Sequence, residues 1–254
     1  MNTRLRSKAR SPVSPVTGTR ASKAGRAAPE DRLKSERVYH DLRRRIREMD
    51  LQPGSQLDKN EIANAYGVSR APVSEAIARL AVEGLADVFP QSGSFVAPIR
   101  LDDVRESLLI RTGLEVEAVR RAVLVGGEQF FARLEENLTQ QGAAVKRNDI
   151  VALDDLDSAF HGIILGAVNS PSVARLVDRA RAILDRPRFY ALPVEGRPRD
   201  TVAEHRRIVD AVRTGDVELA GASMRVHLAM VSRAIERTIS LMQSESDPRL
   251  ARRS

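Results

Sequence analysis

The chain has 254 residues, with 41 Lys or Arg against 34 Asp or Glu, and no cysteine. That length buries a sizeable core and suggests about two domains. The missing thiols exclude disulfides and thiolate metal sites and make a reducing cytoplasm the default compartment; no apolar run nears the ~18 residues of a membrane span. The positive excess is uneven. Met1 to Pro29 holds Arg4, Arg6, Lys8, Arg10, Arg20, Lys23 and Arg26 without an acid, which is the whole formal net charge of +7. Rich in Ser, Pro, Ala and Gly, this segment buries too little apolar surface to fold, so a disordered basic tail is expected over residues 1–32. It has no apolar h-region and is not a secretory signal. Such a tail either attracts nucleic acid non-specifically or only keeps the chain soluble.

Ser35 is placed to cap a helix whose apolar stripe is Val38, Leu42, Ile46 and Met49. "LQPGSQL" then turns the chain. In "DKNEIANAYG", Asp58 and Glu61 have capping-box spacing and Gly67 is the stop. "SRAPVSEAIARLAVEG" restarts at once, with Ser69 as N-cap, Pro72 in the first turn, and Val73, Ile77 and Leu80 inward. "LADVF" and "SFVAP", separated by "PQSG", read as a hairpin. Three helices followed by a hairpin make a winged helix-turn-helix over residues 33–99. Beyond it the period is helical throughout, over 101–124, 128–146, 149–168, 171–186, 200–213 and 216–243. A long loop, "RPRFYALPVEGRPRD", separates the fourth and fifth of these, and Thr201 with Glu204 has capping-box spacing at the start of the fifth. The expected fold class is therefore mainly α, with an all-α antiparallel bundle at 100–243 and a flexible tail at 244–254.

At "GVSRAPVSEAIARLAVEGL…PQSGSFV" the sequence resembles the GntR family of bacterial transcription regulators, and "DSAFH", "EHRRIVDAVRTGD" and "MRVHL" resemble the FCD ligand-binding domain of its FadR subfamily. Carried over by position, the resemblance implies DNA contacts from Asn60, Ser69, Arg70, Ser74, Ser92 and Gly93. The chemistry agrees: a helix N-terminus offers free N–H groups to phosphate, and an arginine beside it reaches guanine O6 and N7. The chain departs from the family at Ser74, where arginine is frequent, and at Ser92, where a larger residue is common. Arg43, Arg44, Arg45 and Arg47 form either a solvated face or phosphate contacts.

Asp157 and His161 lie four residues apart in an otherwise apolar helix, so they share a face. A buried carboxylate is costly without a positive partner. His205 and His227 fall on two other predicted helices, each flanked by inward apolar residues, whereas His40 is either surface or packing. Three imidazoles and one carboxylate suit a divalent ion such as Zn, Mn or Ni, and leave positions open for a ligand; that ion is the expected partner of Asp157. The resemblance also implies a small carboxylate effector near Arg111 and Asn169. Arg111 is either inward, where its planar fork suits a carboxylate, or a surface charge; Asn169 either bonds the ligand or caps its helix. The expected function is a non-enzymatic, homodimeric repressor, bound to a pseudo-palindromic DNA operator and released by an organic or sugar acid at the metal. The alternatives are a metal-dependent enzyme domain fused to a DNA-binding module, or a pure metal-sensing regulator.

Overall fold

The computed structural model describes residues 29–194 and 196–245. The basic tail up to residue 28 and residues 246–254 lie outside the described residues. The first three helices are α1 (Pro29–Arg47), α2 (Lys59–Tyr66) and α3 (Arg70–Val82), followed by strands β1 (Ala86–Phe89) and β2 (Gly93–Val96). Helix α1 starts six residues before Ser35, which is buried inside it and caps nothing. Its first turn carries Glu30 and Asp31, which suit the positive end of a helix dipole. Positions 29–32 therefore belong to this helix.

Asp58 does cap α2, accepting from the backbone N–H of Asn60 at 2.7 Å and of Glu61 at 2.9 Å. Gly67 closes that helix at φ 62°, a left-handed conformation that costs glycine little. Ser69 occupies the N-cap of α3 but makes no side-chain cap bond, so its exposed hydroxyl is free. The hairpin pairs Ala86 with Val96 and Phe89 with Gly93, antiparallel. Val38, Leu42, Ile46, Val73, Ile77, Leu80, Leu85 and Val96 close the core beneath it.

The second half is α4 (Leu101–Val125), α5 (Glu128–Lys146), α6 (Ile150–Val168), α7 (Pro171–Ala191), α8 (Arg197–Arg213) and α9 (Val217–Glu245). Helix α4 packs on α6, α7 and α9, while α5 packs on α6 and α8. The expected loop after residue 186 is largely helix, since α7 runs through Pro187 to Ala191. A proline inside a helix forfeits a backbone bond and costs roughly 3 kcal/mol. Burial of Leu184, Ala191 and Leu192, and the ion pairs of buried Arg188, oppose that cost.

The Thr201/Glu204 capping box does not form either. Helix α8 starts four residues earlier, after Gly196 at φ 82°, and the Thr201 hydroxyl donates to the Arg197 carbonyl at 3.0 Å. Asp216 accepts from the Leu219 N–H at 2.9 Å and opens α9 as an N-cap residue does. Helix α9 also takes in residues 244 and 245, which were expected in the tail.

The two halves are in contact. Ala182 of α7 belongs to the core of the winged domain, and Arg186 Nη1 donates to the Ala97 carbonyl at 2.5 Å.

Candidate metal centre and DNA-binding face

All six helices of the second half send a polar side chain to one buried place. Asp157 and His161 come from α6, His205 from α8 and His227 from α9, and each is at most 1% exposed. One donor atom from each of the four lies within 4.8 Å of the others. Each imidazole is steered through Nδ1. His205 Nδ1 pairs with Gln141 Oε1 at 2.9 Å, and His227 Nδ1 with Glu204 Oε2 at 2.8 Å. His161 Nδ1 lies against Glu115 Oε2 without an aligned hydrogen bond. In turn Gln141 donates to Asn137 at 2.6 Å, Glu204 is held by Arg197 at 2.7 Å, and Glu115 by Arg111 Nε at 2.6 Å.

With Nδ1 carrying the proton toward these acceptors, Nε2 is left with its lone pair. All three Nε2 atoms are buried and have no hydrogen-bond partner. A buried polar atom without a partner costs free energy, and here three do so side by side. Burial pushes His161 down to about 4, against the pull of Glu115 and Asp157, and holds His205 well below the ordinary histidine range. Both rings are thus neutral, the form that binds metal. The residues present fit a divalent cation: three buried imidazole nitrogens and one carboxylate, each ring with an acceptor behind it in the manner of metal sites.

Burial resists ionisation of Asp157, but the guanidinium groups of Arg188 and Arg181 hold it well below the carboxylate range. The chain therefore supplies positive partners that the sequence reading had assigned to the metal alone: Arg188 Nη2 at 2.8 Å and Arg181 Nη2 at 3.2 Å. Arg188 fell in the supposed loop. Arg181 was legible, for it stands four after Val177 and three before Leu184, on the buried stripe of α7. Glu115, four residues after Arg111, was legible in the same way.

Arg111 is 1% exposed, so of its two readings the inward one holds. Asn169 takes the capping reading: it is exposed, closes α6 at φ 50°, and lies two turns beyond His161. His40 is exposed beside Glu36 on α1.

At the other end, Asn60, Ser69, Arg70 and Ser92 are exposed and Ser74 is half-buried. Arg70 makes no ion pair or hydrogen bond among the described residues and heads α3. Gly93 follows the hairpin turn at φ 112°, with Gln91 before it at φ 65°. Arg43, Arg44 and Arg47, by contrast, are tied to carboxylates: Arg43 to Glu83 and Asp185, Arg44 to Asp41 and Glu48, Arg47 to Glu48, Asp154 and Asp155. Of the run Arg43, Arg44, Arg45 and Arg47, these three are thus committed within the chain.

Comparison with known families decides what this pairing of domains is. Residues 34–96 match the model of bacterial regulatory proteins of the gntR family, and residues 106–230 match the FCD domain. The chain belongs to the GntR family. An HTH-type transcriptional regulator from an unstable DNA locus of Streptomyces ambofaciens is 37% identical over 79% of this chain and 84% of its own length. The HTH-type transcriptional repressor RspR of Escherichia coli is 30% identical over 84% of this chain and 92% of its own. In fold, the chain resembles E. coli McbR/YncC with a TM-score of 0.68 at 23% identity, over 84% of this chain and 99% of that one. This GntR protein is thus a transcription regulator with a DNA-binding domain and an FCD effector domain, and not an enzyme. Among the described residues, no helix is long and apolar enough to cross a membrane.

Proposed function

We propose that this regulator is a homodimeric repressor whose FCD domain holds one divalent ion through Asp157, His161, His205 and His227. A small organic or sugar acid joining that ion then weakens DNA binding. The observation that carries the reading is the trio of partnerless Nε2 atoms facing one buried carboxylate. Three nitrogens and one oxygen suit Zn, Mn or Ni, and the ion, when bound, supplies an electrophilic position for an anion. Arg111 gives Nε at 2.6 Å and Nη2 at 3.5 Å to Glu115, and its buried planar fork suits a carboxylate.

Asn60, Ser69, Arg70, Ser74, Ser92 and Gly93 are assigned to DNA. A free arginine and an uncapped serine at a helix N-terminus support that assignment. The dimer is supported by apolar side chains left exposed on α4 and α9, among them Leu109, Val226 and Met230. The repressor role is supported by the 30% identical relative that bears that name.

The deciding experiment is a thermal-shift screen of small carboxylates with purified protein, with and without a chelator. Stabilisation scales with ligand concentration over Kd, so a true effector stands out. Metal content near one ion per chain and carboxylate shifts that vanish on chelation are expected. Full metal retention in a His205→Ala/His227→Ala double variant would remove the site.

A further inference from the structure

A line of buried charge connects the candidate metal centre to the DNA-binding domain. Arg188 of α7 is a fork between two aspartates of α6, with Nη2 at 2.8 Å from Asp157 and Nη1 at 2.8 Å from Asp154. On its other oxygen, Asp154 faces Arg47 Nη1 of α1 at 3.5 Å. Asp154 and Arg188 are almost wholly buried, yet neither carboxylate oxygen of Asp154 and neither Nη of Arg188 makes an aligned hydrogen bond. The groups are held by charge and not by directional bonds, so their pairing can be redistributed at little cost in geometry. Besides Asp154, Arg47 already pairs with Glu48 at 3.1 Å and with Asp155 at 2.8 Å, the latter at the rim of a cleft of about 1000 Å³ between α1, α3, α6 and α7. That cleft gives α1 room to shift.

We propose that Asp154 is a shared carboxylate through which occupancy of the metal centre sets how firmly the winged domain docks. This rests on the metal reading above. With a divalent cation held there, Asp157 would have less negative charge to offer Arg188, and the guanidinium would be disfavoured beside it. Of the carboxylates that act on Arg188, namely Asp157, Asp154, Asp185 and Glu115, Asp154 is the other one at ion-pair distance, so Arg188 swings onto it. Asp154 cannot satisfy both arginines equally, so Arg47 falls back on Asp155 and the end of α1 loosens from α6. Asp154 and Arg188 are positioning residues in this scheme; neither is a ligand to the ion. Linkage makes the effect reciprocal: whatever strengthens the Arg47–Asp154 contact weakens metal binding.

The test uses the full chain and Zn²⁺ alone, with affinity read by competition calorimetry. Arg47→Gln removes the competitor for Asp154 and is expected to tighten Zn²⁺ by about fivefold, the low end of common coupling. Asp154→Asn strands Arg188 beside the ion and is expected to weaken it by a similar factor. In the double variant Arg47→Gln should add nothing to Asp154→Asn. Arg43→Gln removes the same charge from the same helix one turn earlier, where the partners are Glu83 and Asp185, and should leave affinity unchanged. Amide exchange at the last turn of α1 should quicken when Zn²⁺ is added to the wild type, and should not in Asp154→Asn. Additive effects in the double variant, or an equal shift from Arg43→Gln, would show a general charge effect and overturn the proposal. If Asp154→Asn does not fold, Arg47→Gln against Arg43→Gln decides alone, and unchanged affinity in both overturns it. Failure of the wild type to bind Zn²⁺ would remove the metal reading itself; binding without these shifts removes only the relay.

Discussion

At the scale of single residues, the centre is governed by which atom of each imidazole is spoken for. Glu204 was read as half of a capping box, but its carboxylate orients His227 instead. Glu204→Gln should weaken metal retention about 10–100-fold, the usual effect of losing such a partner; retention equal to wild type in a chelator competition would deny Glu204 that role. Burial also fixes a pH dependence. His161 is lowered from 6.5 to about 4 in the folded chain, so between those values only the unfolded chain binds its proton. Its contribution is present above the unfolded value and is lost as pH falls toward the folded one, which costs a few kcal/mol across the window. Metal-free protein should therefore lose thermal stability between pH 6.5 and about 4, and His161→Gln should show a shallower slope. Equal slopes in the two proteins would place the acid sensitivity elsewhere.

At the scale of elements, α2 and α3 show how local chemistry positions a reading surface. Asp58 satisfies two N–H groups of α2, and Gly67 turns the chain so that α3 starts three residues later. Asp58→Ala should cost about 1 kcal/mol of stability in denaturant titration. Arg70 is exposed and makes no ion pair or hydrogen bond among the described residues, so Arg70→Ala should leave that titration nearly unchanged while weakening operator binding by about 1–3 kcal/mol. A stability loss equal to that of Asp58→Ala would instead make Arg70 a structural residue. Helix α7 shows the opposite case. Its Pro187 argues for a break by local preference, and tertiary burial overrides it.

At the scale of the whole molecule, the two halves are joined by Ala182 in the winged-domain core and by Arg186 on the Ala97 carbonyl. Ala182 is 1% exposed. Ala182→Asp places an unpaired charge there and should undock the winged domain, so that thermal unfolding splits into two transitions while metal content is kept. One cooperative transition at a lowered midpoint would mean that the halves unfold as a unit by other contacts. Coupling between effector and operator passes through this junction together with the ion pairs of Arg43 and Arg47 to Asp185, Asp154 and Asp155. Its loss should shrink an effector response of about 5–150-fold in DNA affinity toward none.

The winged helix-turn-helix and most helix spans of the bundle were legible in the sequence because short-range rules write them: a capping aspartate, a left-handed glycine, apolar residues at helical spacing. Asp157, His161, His205 and His227 were legible because histidine is scarce in this chain and three of its four copies stand among inward apolar neighbours. What only the tertiary structure decided is which charges meet. Arg181 and Arg188 on Asp157, Glu115 on His161, Gln141 on His205, and Arg47 on Asp154 and Asp155 join side chains up to 108 positions apart. No local period records such a pair, because a charged side chain is stable in the interior only through the partner that folding brings to it.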